Sequence, residues 1–311
     1  MAKYIIKKVA IAILTLFLVV LILFLLMELM PGSPFNDPKL SDEQKQIMMQ
    51  AYGLDKPVLE RFFIYLKNIF VGDFGVSYSM APDVPVSELI KTRLPISMII
   101  GFASMVLGSI IGLAFGFLAA FRKGKVWDVI CRIISVICIS VPAYIFAMLF
   151  SYFLGFKFKV LPLLYDFRSP VLSSLMTVMA LSFFVAGIVM RYARDEAVTV
   201  LDSDYVLFAR SQGVSKRTLL TKYVIRNSLM PIITVMAMLL VGLLTGSLVT
   251  ESIFAVPGIG FLLSSAVQAN DYNIVIALCF VFALIYVVAR LVLDLLYGLI
   301  DPRVRVSGGK G

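Results

Sequence analysis

The segment 96–121, ISMIIGFASMVLGSIIGLAFGFLAAF, runs without a single charged side chain. A transmembrane helix needs about 20 mostly apolar residues to cross the hydrocarbon core of a bilayer, so this segment predicts one. Small side chains recur in it at every fourth position, at Ser104, Gly108, Gly112, Gly116 and Ala120. This spacing leaves one face smooth enough for close approach of another backbone. We expect a helix-packing face, with sliding of that face during a conformational cycle as the functional alternative.

Five further apolar stretches pass the same length test, and together they predict an all-α integral membrane protein of about six transmembrane helices. They are 9–29, 129–154, 171–190, 229–250 and 274–300. Apolar residues make up 60% of the 311 residues and charged residues only 15%, far from the composition of a soluble domain. The first stretch exceeds the apolar region of a signal peptide and no small-residue cleavage site follows it, so we expect a helix there.

The residue types exclude several classes of function. The chain contains no histidine, so it lacks the commonest metal ligand and the base of a Ser-His-Asp triad. Cys131, Cys138 and Cys279 lie scattered in apolar stretches and fit neither a disulfide framework nor a spaced metal site. No Gly-x-x-x-x-Gly-Lys-Ser/Thr phosphate loop occurs, so ATP hydrolysis would need another subunit. We expect no catalytic residue, no metal and no cofactor.

Charged residues between the apolar stretches predict the orientation, because short loops on the cytoplasmic side retain positive charge. The loop 122–125 carries three basic residues and the segment 191–226 carries seven, whereas 251–273 carries none. The segment 31–95 has seven basic and eight acidic residues, but long loops translocate largely regardless of charge. Both termini are therefore predicted to be cytoplasmic. The net charge of +9 is assigned to loops facing anionic lipid, not to nucleic-acid binding.

This layout divides the chain into four parts. They are an N-terminal segment with the first helix (1–30), an extracytoplasmic segment (31–95), a five-helix core (96–300) with a cytoplasmic loop (192–228), and a cytoplasmic tail (301–311). Within the extracytoplasmic segment, the amphipathic run 58–70 predicts a helix with Leu59, Phe62, Phe63 and Leu66 on one apolar face. We expect a small folded element there, serving as a platform for a binding protein or a cap on a pore.

The loop 192–228 is too long for a simple connection and is sharply patterned. Asp202 or Ser203 is placed to cap a short helix, Gly213 supplies a left-handed residue past its end, and Ser215 caps a second helix. An exposed aromatic ridge is expected on the first helix through the spacing of Tyr205, Phe208, Ala209 and Gln212. Such a ridge is typical of docking into a partner's groove. An amphipathic helix lying on lipid is the alternative.

Five runs of sequence, taken in order, resemble one family of membrane proteins. They are LMPGSP at 29–34, YGLDKP at 52–57, GDFG at 72–75, DYVLFARSQG at 204–213 followed by SLMP at 228–231, and TESIFAVPGIG at 250–260 followed by DY at 271–272. The chain resembles, along nearly its whole length, the permeases of bacterial ABC importers in the oligopeptide, dipeptide and nickel branch. The signature residues of the fifth run are Glu251, Phe254, Pro257, Gly258 and Gly260.

The fourth run resembles the loop by which these permeases engage their ATPase subunits. The resemblance assigns the coupling contact to Asp204, Tyr205, Phe208, Ala209, Arg210, Gln212 and Gly213. The family pattern begins Glu-Ala-Ala and reaches glycine after three more residues. Leu207, Phe208 and Ala209 stand in those places, so the family glutamate is missing, as is common in this branch.

The resemblance implies a type I importer permease in the bacterial cytoplasmic (inner) membrane. Its partners would be a homologous second permease, two cytoplasmic ATPase subunits and an extracytoplasmic substrate-binding protein. Peptide is the implied cargo, with nickel or another small solute as the alternative. The rival of another class is an ion-coupled secondary transporter or channel, which predicts acidic residues buried in the membrane. Glu28 and Asp294 instead lie near helix ends, and an intramembrane enzyme lacks a catalytic constellation.

Overall fold

The computed structural model describes residues 2–29 and 56–300, which are almost entirely helical. The helices are α1 (Ala2–Leu29), α2 (Val58–Phe70), α3 (Val86–Phe121), α4 (Val126–Ser140), α5 (Ala143–Phe150), α6 (Pro170–Leu201), α7 (Asp204–Ser211), α8 (Lys216–Thr218), α9 (Arg226–Leu244), α10 (Leu248–Ile253), α11 (Ile259–Gln268) and α12 (Tyr272–Ile300), with π-helical segments at Ser151–Lys157 and Leu219–Ile225. The tail 301–311 and residues 30–55, with most of the runs at 29–34 and 52–57, lie outside the described residues.

Five of the described helices are long and apolar enough to cross a bilayer. They are the apolar parts of α1, α3, α6 and α12, and the continuous helix Lys216–Leu244 that contains α8 and α9. A sixth apolar pair, α4 with α5 and its π-helical extension, is bent by 97°. Pro142 lies at this break and holds Val141 in an extended conformation, because proline disfavours helical backbone in the preceding residue. About six spans are thus confirmed, with the span predicted at 129–154 present as this bent pair.

One compact unit contains the described residues up to Ile96 and those from Gly258 onward. In it, α1 packs along α12 and contacts α2. The rings of Phe24 and Phe62 meet edge to face with centroids 5.3 Å apart. A guanidinium nitrogen of Arg61 lies 2.9 Å from a carboxylate oxygen of Glu28. An aromatic contact and an ion pair therefore join α1 to α2.

The helix predicted at 58–70 is present as α2, and only part of its predicted apolar face is buried. Phe62 and Ile69 are buried, whereas Leu59 and Phe63 are 74% and 64% exposed. Leu66 packs beside the buried pair. Residues 62, 66 and 69 share a helix face by their spacing of four and three, so only half of the predicted apolar face is covered within this unit.

The second compact unit is Ser97–Pro257, and α6 lies at its centre in contact with α4, α5 and α9. The small residues of α3 lie against the same helix. A Cβ atom built on Gly112 would stand 2.7 Å from the Cβ of Val189, and one on Gly108 would stand 2.6 Å from the Cβ of Val185. These separations are shorter than real Cβ contacts, so α3 packs here backbone against helix.

Of the remaining members of the predicted packing face, Gly116 and Ala120 continue this contact and Ser104 is buried within α3. A Cβ on Gly116 would lie 2.6 Å from the carbonyl oxygen of Met190. Ser104 is buried and its hydroxyl donates to the Ile100 carbonyl oxygen over 2.7 Å, while Ala120 is buried in a cluster with α6. We call this contact between α3 and α6 the small-residue seam.

Candidate functional site

The short helix α7 is held to the rest of its unit by a few apolar side chains. Ser203 precedes it in an extended conformation, and its hydroxyl donates to the Val200 carbonyl oxygen instead of capping the helix. Val206 and Ala209 are buried against Leu219. These two residues lie three apart, so they share the inner face of the helix. The helix therefore rests on the segment 216–225 that follows it.

The outer surface of α7 carries large exposed apolar side chains. Phe208 is 66% exposed and Tyr205 is 45% exposed, and Gln212 just past the helix is exposed too. We call these three residues the aromatic ridge. Ala209, which the sequence placed on the same face, is only 6% exposed. That part of the prediction is wrong, because a small alanine at the edge of the face is drawn into contact with Leu219.

The turn after α7 depends on one residue with a left-handed backbone. Gly213 has φ +76°, a backbone conformation that costs free energy for residues other than glycine. The N–H of Val214 donates to the Ala209 carbonyl oxygen over 3.2 Å. Ser215 then accepts a hydrogen bond from the Thr218 N–H at 3.4 Å. Together, Gly213 and Ser215 set the direction in which the next helix leaves.

A polar contact that sequence reasoning missed joins the two ends of this loop. The side-chain amide of Asn227 donates to the Tyr205 hydroxyl over 3.2 Å and to the Tyr223 carbonyl oxygen over 2.7 Å. No sequence pattern pairs residues 205 and 227, because their separation in space depends on the path of the chain through the turn after α7 and the π-helical segment Leu219–Ile225. The contact fixes one edge of the aromatic ridge relative to the start of α9.

Basic side chains surround the loop on its other side. A cavity of about 580 Å³ lies between the end of α3 and α7, and basic residues on its wall are Arg122, Lys123, Lys125, Arg210 and Lys216. The Lys123 ammonium forms an ion pair with the Asp202 carboxylate at 2.8 Å. Arg210 makes no ion pair with any residue in the described ranges. The aromatic ridge thus has an exposed negative charge at Asp204 and an exposed positive charge at Arg210 close to it in the sequence.

The signature run 250–260 is divided between the two units, and its part in the second unit contains a buried acid. Glu251 is 1% exposed and accepts a hydrogen bond from the Ser97 hydroxyl over 2.8 Å. Phe254 is fully buried, and its carbonyl oxygen accepts from the Tyr165 N–H over 2.8 Å. Pro257 follows, partly exposed. The sequence had placed Glu251 in an outside loop and gave no sign of its burial.

In the first unit, the same run begins α11. Gly258 precedes this helix in an extended conformation, and Gly260 is buried in its first turn. These glycines have φ angles open to any residue, so a left-handed backbone does not explain them. The run thus contains residues that end one compact unit and start the other.

Two runs that are far apart in sequence meet in the first unit around Asp271. This carboxylate is fully buried and its Oδ2 accepts from the Ser77 hydroxyl and from the N–H groups of Tyr78, Ser79 and Met80, at 2.5 to 3.1 Å. The turn that follows GDFG at 72–75 is therefore closed onto the start of α12. Charge-assisted hydrogen bonds of this kind are the strong ones.

The side chains that could ligate a metal are scattered in the described ranges. These ranges contain no group of three or more His, Cys, Asp or Glu side chains that could hold a metal ion. The buried acids Glu251 and Asp271 accept hydrogen bonds from hydroxyl and backbone groups, although Oδ1 of Asp271 is buried without a partner among the residues that the structure describes. The residues brought together at the loop are apolar, aromatic and basic, so this site is suited to contact with another protein.

Comparison with known proteins accounts for the whole chain. Residues 112–306 match the family described as binding-protein-dependent transport system inner membrane component, and residues 1–101 match its N-terminal counterpart. The chain is 40% identical over 306 residues to the dipeptide transport system permease protein DppB of Lactococcus lactis, covering 98% of this chain and 100% of the relative.

Two further relatives have the same extent. The DppB protein of Bacillus subtilis is 34% identical, covering 98% of this chain and 99% of the relative. The oligopeptide transport system permease protein OppB of Haemophilus influenzae is 32% identical, covering 98% and 100%. With this coverage and with five or six apolar spans, the chain belongs to the inner membrane component family of binding-protein-dependent transport systems.

Proposed function

We propose that this chain is the permease subunit of an ATP-driven importer and forms half of the translocation pathway for peptides. The observation that carries the proposal is full-length similarity to permeases named for dipeptide and oligopeptide transport. The chain itself hydrolyses no ATP in this proposal. The chain takes part in alternating access, in which the two permease halves expose the pathway first to one side of the membrane and then to the other.

The proposed partners are a homologous second permease, two ATPase subunits and an extracytoplasmic substrate-binding protein. The loop 192–228 and both termini face the cytoplasm of a bacterial cell, and 31–95 faces outward. Charge supports this orientation, since 191–226 carries seven basic residues and 251–273 none. A cysteine introduced at Gly124 or Ser215 should be shielded from impermeant reagents outside the cell, and one at Val267 labelled. The reverse pattern would overturn the orientation.

The geometry of the loop supports the aromatic ridge as the docking element. Phe208 offers a large apolar side chain to solvent, and exposure of this kind marks interaction surfaces. The inner face of α7 packs on Leu219, which lies in the continuous helix Lys216–Leu244. Movement imposed on α7 by an ATPase would therefore reach a membrane-spanning helix directly. The hydrogen bond from Asn227 to Tyr205 attaches α7 to the start of α9 at a second point.

Transport in reconstituted vesicles tests the proposal. Peptide uptake should require ATP inside together with the ATPase subunits, and should be competed by other di- and oligopeptides. Competition by nickel but not by peptides would support the solute alternative. Uptake driven by an ion gradient without ATPase subunits would overturn the importer and bring the buried Glu251 forward as an ion-coupling group, since buried acids mark such pathways.

A further inference from the structure

A second cavity, of about 340 Å³, opens between α4 and α6, where the apolar stretch of each helix meets its charged end. Its floor is apolar and consists of Ala119, Cys131 and Met190, which pack together in one buried cluster. Its rim carries Arg132 from α4 and Arg191 from α6. The seam, the aromatic ridge and the buried acids of the proposed transport mechanism are separate from this rim.

The depth of the cavity follows from the charge pattern of the two helices. Residues 133–156 and 171–190 contain no charged side chain, so Arg132 and Arg191 are the first charges after two apolar stretches. The helices run antiparallel, because the Ser135 hydroxyl donates to the Gly187 carbonyl oxygen over 2.8 Å and Arg194 pairs with Asp128. The two arginines therefore lie together at the edge of the hydrocarbon layer, where lipid phosphates are found.

A third arginine is held rigidly behind the rim. The Nε and Nη2 atoms of Arg194 donate to the two oxygens of the buried Asp128 carboxylate at 3.1 and 3.2 Å. Its Nη1 donates to Asp195 at 3.0 Å. A guanidinium group has five N–H donors, so two N–H groups of Arg194, a residue of the cavity lining, are not used in these bonds. Asp128 is also fixed by the Gly124 N–H at 2.9 Å, which makes this part of the wall preorganised.

The charge on the cavity wall is not fully neutralised. Arg191 makes no ion pair or hydrogen bond with any side chain in the described ranges, and Arg132 lies 3.6 Å from Asp128 while its side chain is 55% exposed. Arg132, Arg191 and Arg194 together carry one positive charge more than Asp195 and the Arg194 partner Asp128 can neutralise. Arginine is the preferred partner of phosphate because its planar fork of donors matches phosphate oxygens. A singly charged phosphodiester balances this wall.

The surface beside the cavity fits the rest of a lipid. Ile133, Val136 and Ile137 on the outer face of α4 are 49% to 56% exposed and continue from the rim into the apolar stretch. Trp127 lies one turn before the cavity, 46% exposed, with the Arg122 guanidinium 5.8 Å from its ring centre. Tryptophan concentrates at membrane–water interfaces. A soluble anion would use the arginines but would leave this apolar surface uncovered.

We propose that this cavity binds the phosphate of an anionic phospholipid, with the acyl chains lying along the outer face of α4. Basic cavities between membrane helices are suited to lipid headgroups. The assignment of the lipid to the inner leaflet rests on the proposed orientation, but the binding site itself does not. The lipid would brace α4 against α6 in the same unit that contains the aromatic ridge, through Arg132 on one helix and Arg191 on the other.

Native mass spectrometry of the full-length chain with phosphatidylglycerol tests the site. The wild-type chain should retain one phosphatidylglycerol more strongly than phosphatidylcholine, and Arg132→Gln/Arg191→Gln should weaken that binding at least tenfold. The matched double variant Lys222→Gln/Arg226→Gln, which removes the same charge from exposed positions outside the cavity, should retain it. Equal retention in all three chains would overturn the proposal. So would displacement of the lipid by millimolar inorganic phosphate, which would identify a free-anion site.

The single tryptophan of the chain supplies an independent readout. Brominated phosphatidylglycerol should quench Trp127 fluorescence more than brominated phosphatidylcholine, and Arg191→Gln alone should abolish the difference. This single change leaves the Asp128–Arg194 pair intact, so it keeps the test valid if the double variant does not fold. Cross-linking of two permease chains through Val136→Cys, with no lipid selectivity, would show a protein interface instead. None of these measurements needs an ATPase, so failure of ATPase docking leaves the lipid result separate.

Discussion

The small-residue seam and the aromatic ridge lie in the same compact unit and use opposite strategies. At the seam, glycines of α3 approach α6 so closely that a single added carbon would collide with Val185 or Val189. At the ridge, two aromatic side chains stay accessible to solvent, Phe208 at 66% and Tyr205 at 45% exposure. The seam is complete within one chain. The ridge, by contrast, stays exposed in the isolated chain, as the proposed docking to another protein requires.

This difference separates residues that stabilise the fold from residues available for function. Membrane helices associate through close packing because lipid chains are as apolar as the side chains they would replace. The seam therefore needs small residues and tolerates little change. An aromatic side chain exposed beside charged residues has no comparable role in the isolated chain, so substitution there should alter partner binding and leave folding intact.

The largest effect is expected from Phe208→Ala. If the ring fills a groove on an ATPase subunit, its loss should cost more than about 2 kcal/mol of binding free energy, as for other aromatic hot spots. ATPase co-purification should fall more than tenfold and peptide uptake should be lost with it. Leu207→Ala, an exposed residue of the same helix outside the ridge, is the matched control and should have a small effect. Normal co-purification and transport by Phe208→Ala would instead favour a helix lying on lipid.

The next effect tests the seam with one added methyl group. Gly112→Ala should lower the free energy of unfolding by about 1–3 kcal/mol, the usual cost of overpacking a tight contact. Gly242→Ala is the control, because a Cβ at Gly242 meets nothing within 4 Å and alanine favours the helix. Thermal unfolding of the purified chains in detergent measures both. Equal stability of the two variants would mean that α3 and α6 can separate freely, as a sliding face requires.

A smaller effect is expected at the turn that orients the ridge. Gly213→Val places a β-branched residue at φ +76°, which costs about 1–2 kcal/mol per residue in the left-handed region. The space around the Cβ is open, so strain is the only penalty. ATPase binding should partly survive while hydrolysis becomes uncoupled from uptake. Gly213→Asn, which tolerates this backbone, should stay coupled; uncoupling by both changes would point to another cause.

The smallest effect is expected from Tyr205→Phe. The change removes the hydroxyl that accepts from Asn227 over 3.2 Å but keeps the aromatic surface of the ridge. A partly exposed hydrogen bond contributes about 0.5–1.5 kcal/mol, so ATPase binding should fall only a few-fold. Asn227→Ala should have a similar effect, and the double variant should add nothing further. Additive losses would show that the two side chains act separately.

Periodicity predicted the helices well and their buried faces less well. The apolar stretches, the helix at 58–70 and the left-handed Gly213 could all be read along the chain, since each depends on neighbouring residues. Leu59 and Phe63 lie on the predicted apolar face but stay exposed, because the spacing of a helix does not show how much of such a face a neighbour will cover. Ala209 was misplaced because the spacing does not show which neighbour will cover a small side chain. The apolar stretch 129–154 likewise does not show the 97° bend at Pro142.

Local sequence was therefore enough to predict a multi-pass helical membrane protein with a patterned loop. An uncharged apolar segment of about 20 residues or more has the length and composition of a helix that crosses a bilayer. Folding alone brought together residues that no local pattern connects. The Ser97 hydroxyl reaches Glu251, the turn after GDFG closes on Asp271, and Asp128 locks Arg194. Such contacts depend on which helix faces meet, and that choice is made by close packing across the whole unit rather than by the preferences of any one segment.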